Sequence, residues 1–306
     1  MSVAAALPAA RPRLSRNQRG QLMGLLYVAP AIALVLVFFI IPLFMTAWMS
    51  LHNWPLIGNP RFIGLANYYA ILRDNRFWGA MGFTFYYTVI VTIAIFAVAF
   101  PLALFIERPR PGVGFYRTAF FMPVVVGFAS ASLLWSWLLN VDSGLFSPAA
   151  FKLGLTEKPI NLLATFQPAF WSIIVMVVWK VAGFTMVILM TGLQSIPHEL
   201  HEAAKIDGAG PIARFRLVTL PLMRRTLALA LILSVAGSIL AFDQFYIILR
   251  GGPGNQTLTA VYWIFNQSFV SFKLGYGAAL SMVLLVILVV LSLIQLRVLR
   301  NPEGVE

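Results

Sequence analysis

Long charge-free apolar runs constrain this chain more than any other feature. Asp, Glu, Lys and Arg are absent from residues 20–60, 77–106, 118–141, 159–179, 181–198, 226–242 and 274–296. A helix needs about 20 mostly apolar residues to cross a bilayer. Hydrophobic residues make up 60% of the 306 and charged ones only 10%, against roughly 25% charged in soluble domains. So little charge cannot cover the surface of a water-soluble fold of this size. The absence of cysteine excludes a disulfide-stapled secreted scaffold. An aromatic content of 14%, set in long apolar blocks, excludes disorder. The chain reads as an all-α polytopic membrane protein.

Trimming the runs by polarity and turn residues gives six transmembrane helices, at about 24–50, 79–106, 118–140, 169–193, 226–249 and 274–296. A basic segment 1–23 precedes them and a short tail 299–306 follows. Lys180 interrupts the fourth span and Asp243 the fifth. Pro42 and Pro123 mark kinks or early turns, which spanning helices tolerate. The N-terminus is basic and then apolar like a signal sequence, but the apolar run is too long and nothing marks a cleavage site, so it reads as a retained first span.

The net charge of +12 raises the possibility of nucleic acid. Its carriers, however, lie in short segments between apolar blocks instead of on one solvated face, so no nucleic-acid partner is expected. Lys and Arg orient a membrane chain by gathering on the cytoplasmic side. With six spans, one side holds Arg11, Arg13, Arg16, Arg19, Arg108, Arg110, Arg117, Lys205, Arg214, Arg216, Arg224, Arg225, Arg297 and Arg300. The other holds Arg61, Arg73, Arg76, Lys152, Lys158, Arg250 and Lys273. The asymmetry places both termini in the cytoplasm, in contact with membrane lipid. Trp48, Trp54, Tyr68, Tyr69, Trp78, Trp135 and Trp137 fall near outer span ends, as an interfacial aromatic belt requires.

Catalytic constellations are missing. No Lys follows a Gly, so there is no G-x-x-x-x-G-K-[ST] phosphate loop and no ATP hydrolysis by that route. His198-Glu199-Leu200-His201 has one residue too few to place two imidazoles at i and i+4, and reads as a polar helix face instead of a metal site. A membrane aspartyl enzyme needs two carboxylates at one site, and only Asp243 lies in a span. The chain is not expected to be an enzyme.

The loop 194–225 carries the strongest signal. After Pro197, Leu200, Ala203, Ala204 and Asp207 recur at i, i+3, i+4 and i+7, giving a narrow face with two small residues. Gly208 suits a positive-φ helix stop, and Gly210-Pro211 opens a second short helix. A small-residue helix bent back by glycine suits docking into a protein groove, where bulk would prevent close approach. A basic helix lying on anionic lipid explains the arginines but not Glu202, Asp207 and the alanines.

Glu202-Ala203-Ala204, Gly208 after three further residues, and Val218-Thr219-Leu220-Pro221 after nine more resemble the EAA signature of ABC-importer permeases. Val218 replaces the usual Ile. Residues Phe242 to Pro253 resemble the end of the fifth span in the sugar-type subfamily, whose members carry maltose, other sugars and glycerol phosphate. Arg250 stands where that pattern more often has a small polar residue. The resemblance runs from about 24 to 298.

It implies a type I ABC-importer transmembrane fold in a bacterial inner membrane, with loop 194–225 as the cytoplasmic coupling element. It also implies a second permease subunit, a dimer of ATPase subunits that bind ATP and Mg, a periplasmic or lipid-anchored solute-binding protein and a carbohydrate substrate. No cofactor is expected in this chain itself. The coupling contacts by this carry-over are Glu202, Ala203, Ala204, Asp207, Gly208, Leu220 and Pro221.

Ionisable groups at membrane depth are candidate functional sites because burying them unpaired is expensive. At 1.5 Å per residue, Lys180 lies ~20 Å and Asp243 ~26 Å from the cytoplasmic boundary. Their depths admit an ion pair between spans four and five, separate positions along the substrate path, or an ion relay. Trp179, Gln244, Tyr246, Tyr86, Tyr87 and Ser132 are further candidates, since sugars combine an apolar face with a polar rim. The rival reading is an ion- or proton-coupled secondary transporter using Lys180 and Asp243. It calls for repeated halves with broken helices, and no internal repeat is visible.

Overall fold

A computed structural model describes residues 16–108, 110–154 and 156–299. The first residues and the last seven, on which much of the basic N-terminal segment and the tail falls, lie outside the described residues. The described chain is mostly helical. Helices α1 (Arg16–Val35) and α2 (Ile41–Ser50) are joined by a wider π turn at Leu36–Ile40 into one long rod. A small antiparallel hairpin follows, β1 (His52–Asn53) against β2 (Arg61–Phe62), and then the short α3 (Ala66–Leu72).

The body of the bundle is made by α4 (Asn75–Ile106) and α8 (Phe166–Gln194), which pack along much of their length. At 1.5 Å per residue, the 29 residues of α8 reach about 43 Å, more than the hydrocarbon core. Asp74 starts α4 by accepting the Arg76 and Phe77 amides at 3.0 and 3.1 Å, an N-cap that satisfies two orphan donors. Met23–Ser50, α4, α8 and Leu274–Val298 within α14 (Leu274–Leu299) are each long and apolar enough to cross a membrane.

Two further spans are bent pairs. Helix α5 (Val113–Val125) turns through 95° into α6 (Phe128–Leu138). The segment Pro211–Leu222 turns through 73° into α12 (Arg224–Ile239). Counting each bent pair as one span gives six, but the third is not the single rod expected at 118–140, and the fifth pair draws Pro211–Leu222 from the expected loop 194–225 and ends at Ile239 instead of 249. Val126 and Gly127 are extended (ψ 130° and 149°), which ends α5 at Val125, two residues after Pro123. In the fifth span α12 stops at Ile239, and a π turn at Phe245–Leu249 resumes only after Ala241-Phe242. The outer segment folds as a short helix α13 (Ala260–Phe265) with another π turn at Asn266–Val270. Helix α7 (Phe146–Lys152) follows α6, with the Phe146 ring 5.7 Å from Trp135 of that helix.

Apolar side chains are buried in three groups. One joins α4, α6, α8 and the 245–249 turn around Tyr87, Phe170 and Phe245. A second lies towards Ile106 and Leu193, and a third joins Phe77 to α12, α13 and α14. Trp135 belongs to the first group at 7% exposure. It is thus a core residue and not part of the outer aromatic belt, whereas Trp48 and Trp137 are exposed.

Candidate functional site

The loop between α8 and α12 begins where Gln194 donates through Nε2 to the Glu107 carbonyl at 3.1 Å, tying it to the end of α4. Pro197 then opens α9 (His198–Ile206), with its carbonyl accepting the Leu200 amide. The helix closes on Gly208 at φ +80°, while Ala209 N–H donates to Ala204 O at 2.9 Å. That left-handed position strains any residue with a Cβ, so the glycine is required by the turn. The chain returns through α10 (Pro211–Arg214), a π turn at Phe215–Thr219 and α11 (Leu220–Leu222). This return leg is anchored: Phe215 meets Phe100 edge-on at 5.4 Å, and Thr219 and Met223 are buried.

Helix α9 differs from α8 and α12 on either side of the loop, which both bury residues. None of its residues is buried, and Ile206 is 85% exposed. Glu202, Ala203, Asp207 and Gly208 are exposed and Ala204 is half-buried. Leu220 and Pro221 are half-buried on the return leg, which packs against α9. Helix α9 thus meets α10 and the 215–219 turn that precedes Leu220 and Pro221.

Inside the bundle, Lys180 and Asp243 do not pair. Lys180 is 5% exposed, and its Nζ donates to the Val124 carbonyl at 3.0 Å and lies 4.9 Å from the Phe128 ring centre. The break between α5 and α6 leaves α5's last carbonyls without helical partners, and this supplied a nearer acceptor than Asp243. Asp243 is half-buried just beyond the interruption of the fifth span.

Gln244, beside it, is buried and donates through Nε2 to the Tyr87 hydroxyl at 3.2 Å. Tyr87 meets Phe245 edge-on at 4.9 Å. This pair ties α4 to the fifth span. Tyr246 is 40% exposed, stacks on Phe242 at 5.0 Å, and touches Tyr262 and Phe265. Trp179 is 38% exposed and lies 5.9 Å from Trp135. Tyr86 is exposed against Phe170, and Ser132 is buried with its hydroxyl on the Phe128 carbonyl of its own helix.

Sequence reading missed two features. Asp74 also accepts Trp263 Nε1 at 3.0 Å and the Tyr276 hydroxyl at 2.7 Å, joining α4, α13 and α14 at one carboxylate. Burial pushes the acid up, but donation from Tyr276, the Phe77 amide, Trp263 and the Arg76 amide outweighs it and holds the carboxyl below its ordinary range. An acidic residue just ahead of an apolar run was the available signal. The second feature is a row of buried hydroxyls, Thr84, Thr88 and Thr92, at helical spacing on α4. Thr84 Oγ1 accepts the Ala260 amide at 2.9 Å, whereas Thr88 and Thr92 hydroxyls have no partner.

Residues 62–302 match the family described as binding-protein-dependent transport system inner membrane component. The chain belongs to that family. Like the relatives it matches, it is a transport permease and not an enzyme, and it resides in the membrane. This permease is 33% identical over 279 residues to the trehalose/maltose transport system permease of Thermococcus litoralis, covering 91% of its own length and 94% of that protein. It is also 33% identical over 281 residues to the sn-glycerol-3-phosphate transport system permease of Agrobacterium fabrum, covering 90% and 94%. Among solved structures, a chain of a bacterial alginate ABC transporter, in complex with an alginate pentasaccharide-bound periplasmic protein, shares the permease fold. The TM-score is 0.79 at 19% identity, over 94% of this chain and 98% of that one. The type I importer fold implied by Glu202 to Pro221 is thereby established, and the ion-relay reading gives way.

Proposed function

We infer that this permease forms half of the translocation pore of an ATP-driven importer for a carbohydrate or related polyol, coupled to a separate ATPase pair through α9. One observation carries the coupling role. A nine-residue helix with no buried side chain stands between two membrane spans, closed by a left-handed glycine and backed by an anchored return leg. Such a helix touches its own chain only along the return leg and buries no residue there, and its exposed Ile206 and small Ala203 suit a groove on another protein. Glu202, Ala203, Ala204, Asp207 and Gly208 form the contact, and Leu220 and Pro221 hold the return leg. ATP and Mg would then bind only to the ATPase partners.

The carbohydrate class is supported by relatives named for trehalose/maltose and sn-glycerol-3-phosphate transport. The Phe242–Tyr246–Tyr262–Phe265 cluster supports it too, because sugars stack their apolar faces on aromatic rings. Of the residues named for the substrate path, Trp179 and Tyr246 keep exposed rings. Gln244 and Lys180 are engaged with Tyr87 and Val124, and act through position. A second permease is supported by the first span, Met23–Ser50, whose most apolar stretch has no buried residue on this chain. A soluble or lipid-anchored binding protein would deliver the solute to the outer face. The distribution of Lys and Arg supports cytoplasmic termini.

The test is Glu202→Lys and Gly208→Pro. Proline cannot adopt φ +80°, and a cation at position 202 inverts the contact charge. Both variants are expected to reach the membrane at normal levels and to lose uptake. Normal uptake by both would remove the coupling assignment.

A further inference from the structure

The α5–α6 corner falls inside the bent pair that makes the third span. The last four carbonyls of a helix lack intrahelical partners, and in hydrocarbon an unsatisfied carbonyl costs several kcal/mol. Helix α5 ends at Val125, and the next two residues are extended. Its carbonyl end also carries the negative pole of the helix dipole. Lys180 reaches it from α8, 56 residues away in sequence, with a 3.0 Å bond to Val124 O. The Phe128 ring, the first residue of α6, takes the other side of the ammonium at 4.9 Å. One cation therefore touches both arms of the corner.

The approach is enforced one turn further along α8. A Cβ at Gly183 would lie 2.0 Å from the Phe120 carbonyl oxygen, so the two backbones are in direct contact there. Beyond the corner, α6 packs on the 245–249 turn. Ala131 and Trp135 share a buried group with Phe245, Ile248 and Leu249. That turn follows directly on Gln244, which holds Tyr87, and contains Tyr246. The break in the third span thus sets where the broken fifth span sits.

The geometry points to Lys180 as a positioning residue of the permease. Its ammonium closes the carbonyl end of α5, fixes the direction of α6, and through α6 places the Gln244–Tyr246 segment along the transport path. It acts on the corner and touches no solute. This goes beyond the importer reading and rests on it only for the uptake measurement.

The experiment uses the assembled importer carrying Lys180→Met, which keeps the length and loses the donor, and Lys180→Arg, which keeps charge and donors. The chain has no cysteine, so Leu133→Cys and Val175→Cys are labelled with nitroxide in this chain alone, before it is assembled with its partner subunits. Both positions are exposed, on α6 and α8 respectively. Electron spin distance measurement reports the angle of α6. With Lys180, one narrow distance distribution is expected. With Lys180→Met it broadens, and maximal uptake of whichever carbohydrate the parent carries falls at least tenfold, while the half-saturating concentration stays within twofold. Lys180→Arg restores both.

An unchanged distribution in Lys180→Met overturns the inference. So does a raised half-saturating concentration with maximal uptake intact, which would mean that Lys180 touches the solute. Failure of Lys180→Arg to narrow the distances also overturns it. If Lys180→Met does not insert, Lys180→Gln, with a shorter neutral donor, is read by the same distances under the same criteria. If the parent complex carries no carbohydrate, the importer reading fails, while the distances still decide the role of Lys180.

Discussion

Replacing Gly183 by alanine tests the close backbone contact between α8 and α5. The added Cβ would lie 2.0 Å from Phe120 O and 2.8 Å from Phe120 C, and real Cβ atoms essentially never come within 3.0 Å of such neighbours. The obstacle is backbone and not a flexible side chain. Helices α8 and α5 must therefore separate by about 1 Å (3.0 minus 2.0) at this point. Overpacking of this kind costs about 1–3 kcal/mol. A similar shift one turn away takes the 3.0 Å Lys180–Val124 bond to about 4 Å, past hydrogen-bond range. Losing a bond to a charged group adds about 1.5–3 kcal/mol. Summed, the penalty is about 2.5–6 kcal/mol, which corresponds to a drop of roughly 5–10 °C or more in unfolding temperature for a chain of this length. The assay is thermal unfolding of purified protein in detergent, followed by loss of the monodisperse peak. Gly82→Ala is the control. Gly82 has nothing within 4 Å of its added Cβ and lies exposed in α4, so that variant should match or exceed the parent. A Gly183→Ala melting point indistinguishable from the parent would refute the close α5–α8 approach and the reasoning built on it.

Three further outcomes are expected. Thr84→Val leaves the buried Ala260 amide without its acceptor and should cost about 1–3 kcal/mol, whereas Thr88→Val removes a hydroxyl with no partner and should be neutral or stabilising; equal effects on unfolding temperature would contradict the bonding pattern. Asp74→Ala should lower stability by about 1–3 kcal/mol at neutral pH, because the Trp263 and Tyr276 donors and the α4 cap lose their acceptor together. Since the folded carboxyl titrates below its ordinary range, its contribution is complete above about pH 4–5 and lost as the pH falls through the folded value. The parent should therefore lose stability through this group as the pH falls below about 4, and Asp74→Asn should show a smaller slope there by circular dichroism.

Most of the architecture was legible because lipid imposes a simple rule: a helix that crosses it must be long and apolar. Residues 77–106 and 274–296 obey the rule and fold as α4 and α14 with little correction. The third and fifth spans were harder. Their hydropathy is continuous, but Pro123 and Gly127 bracket a backbone break whose angle depends on what receives the freed carbonyls. The receiver, Lys180, is remote in sequence. A count of charges in the membrane suggested Asp243 as its partner, because sequence shows carboxylates and hides carbonyl acceptors. The helix at 198–206 and its glycine stop were readable from spacing alone, since a left-handed turn selects glycine. The Asp74 junction was not, because Trp263 and Tyr276 approach from elements almost two hundred residues away.

The first span has a consequence for biosynthesis. Within this chain its substantial span-to-span contact is between α2 and α14, the last helix to be made. Synthesis at about 5–20 residues per second separates Ser50 from Leu274 by roughly 10–45 s. During that interval the opening helix must reside in the bilayer without the neighbour that finally receives it. Its unbroken apolar surface, free of any side chain that would suffer from waiting alone in lipid, is the property such a delay demands.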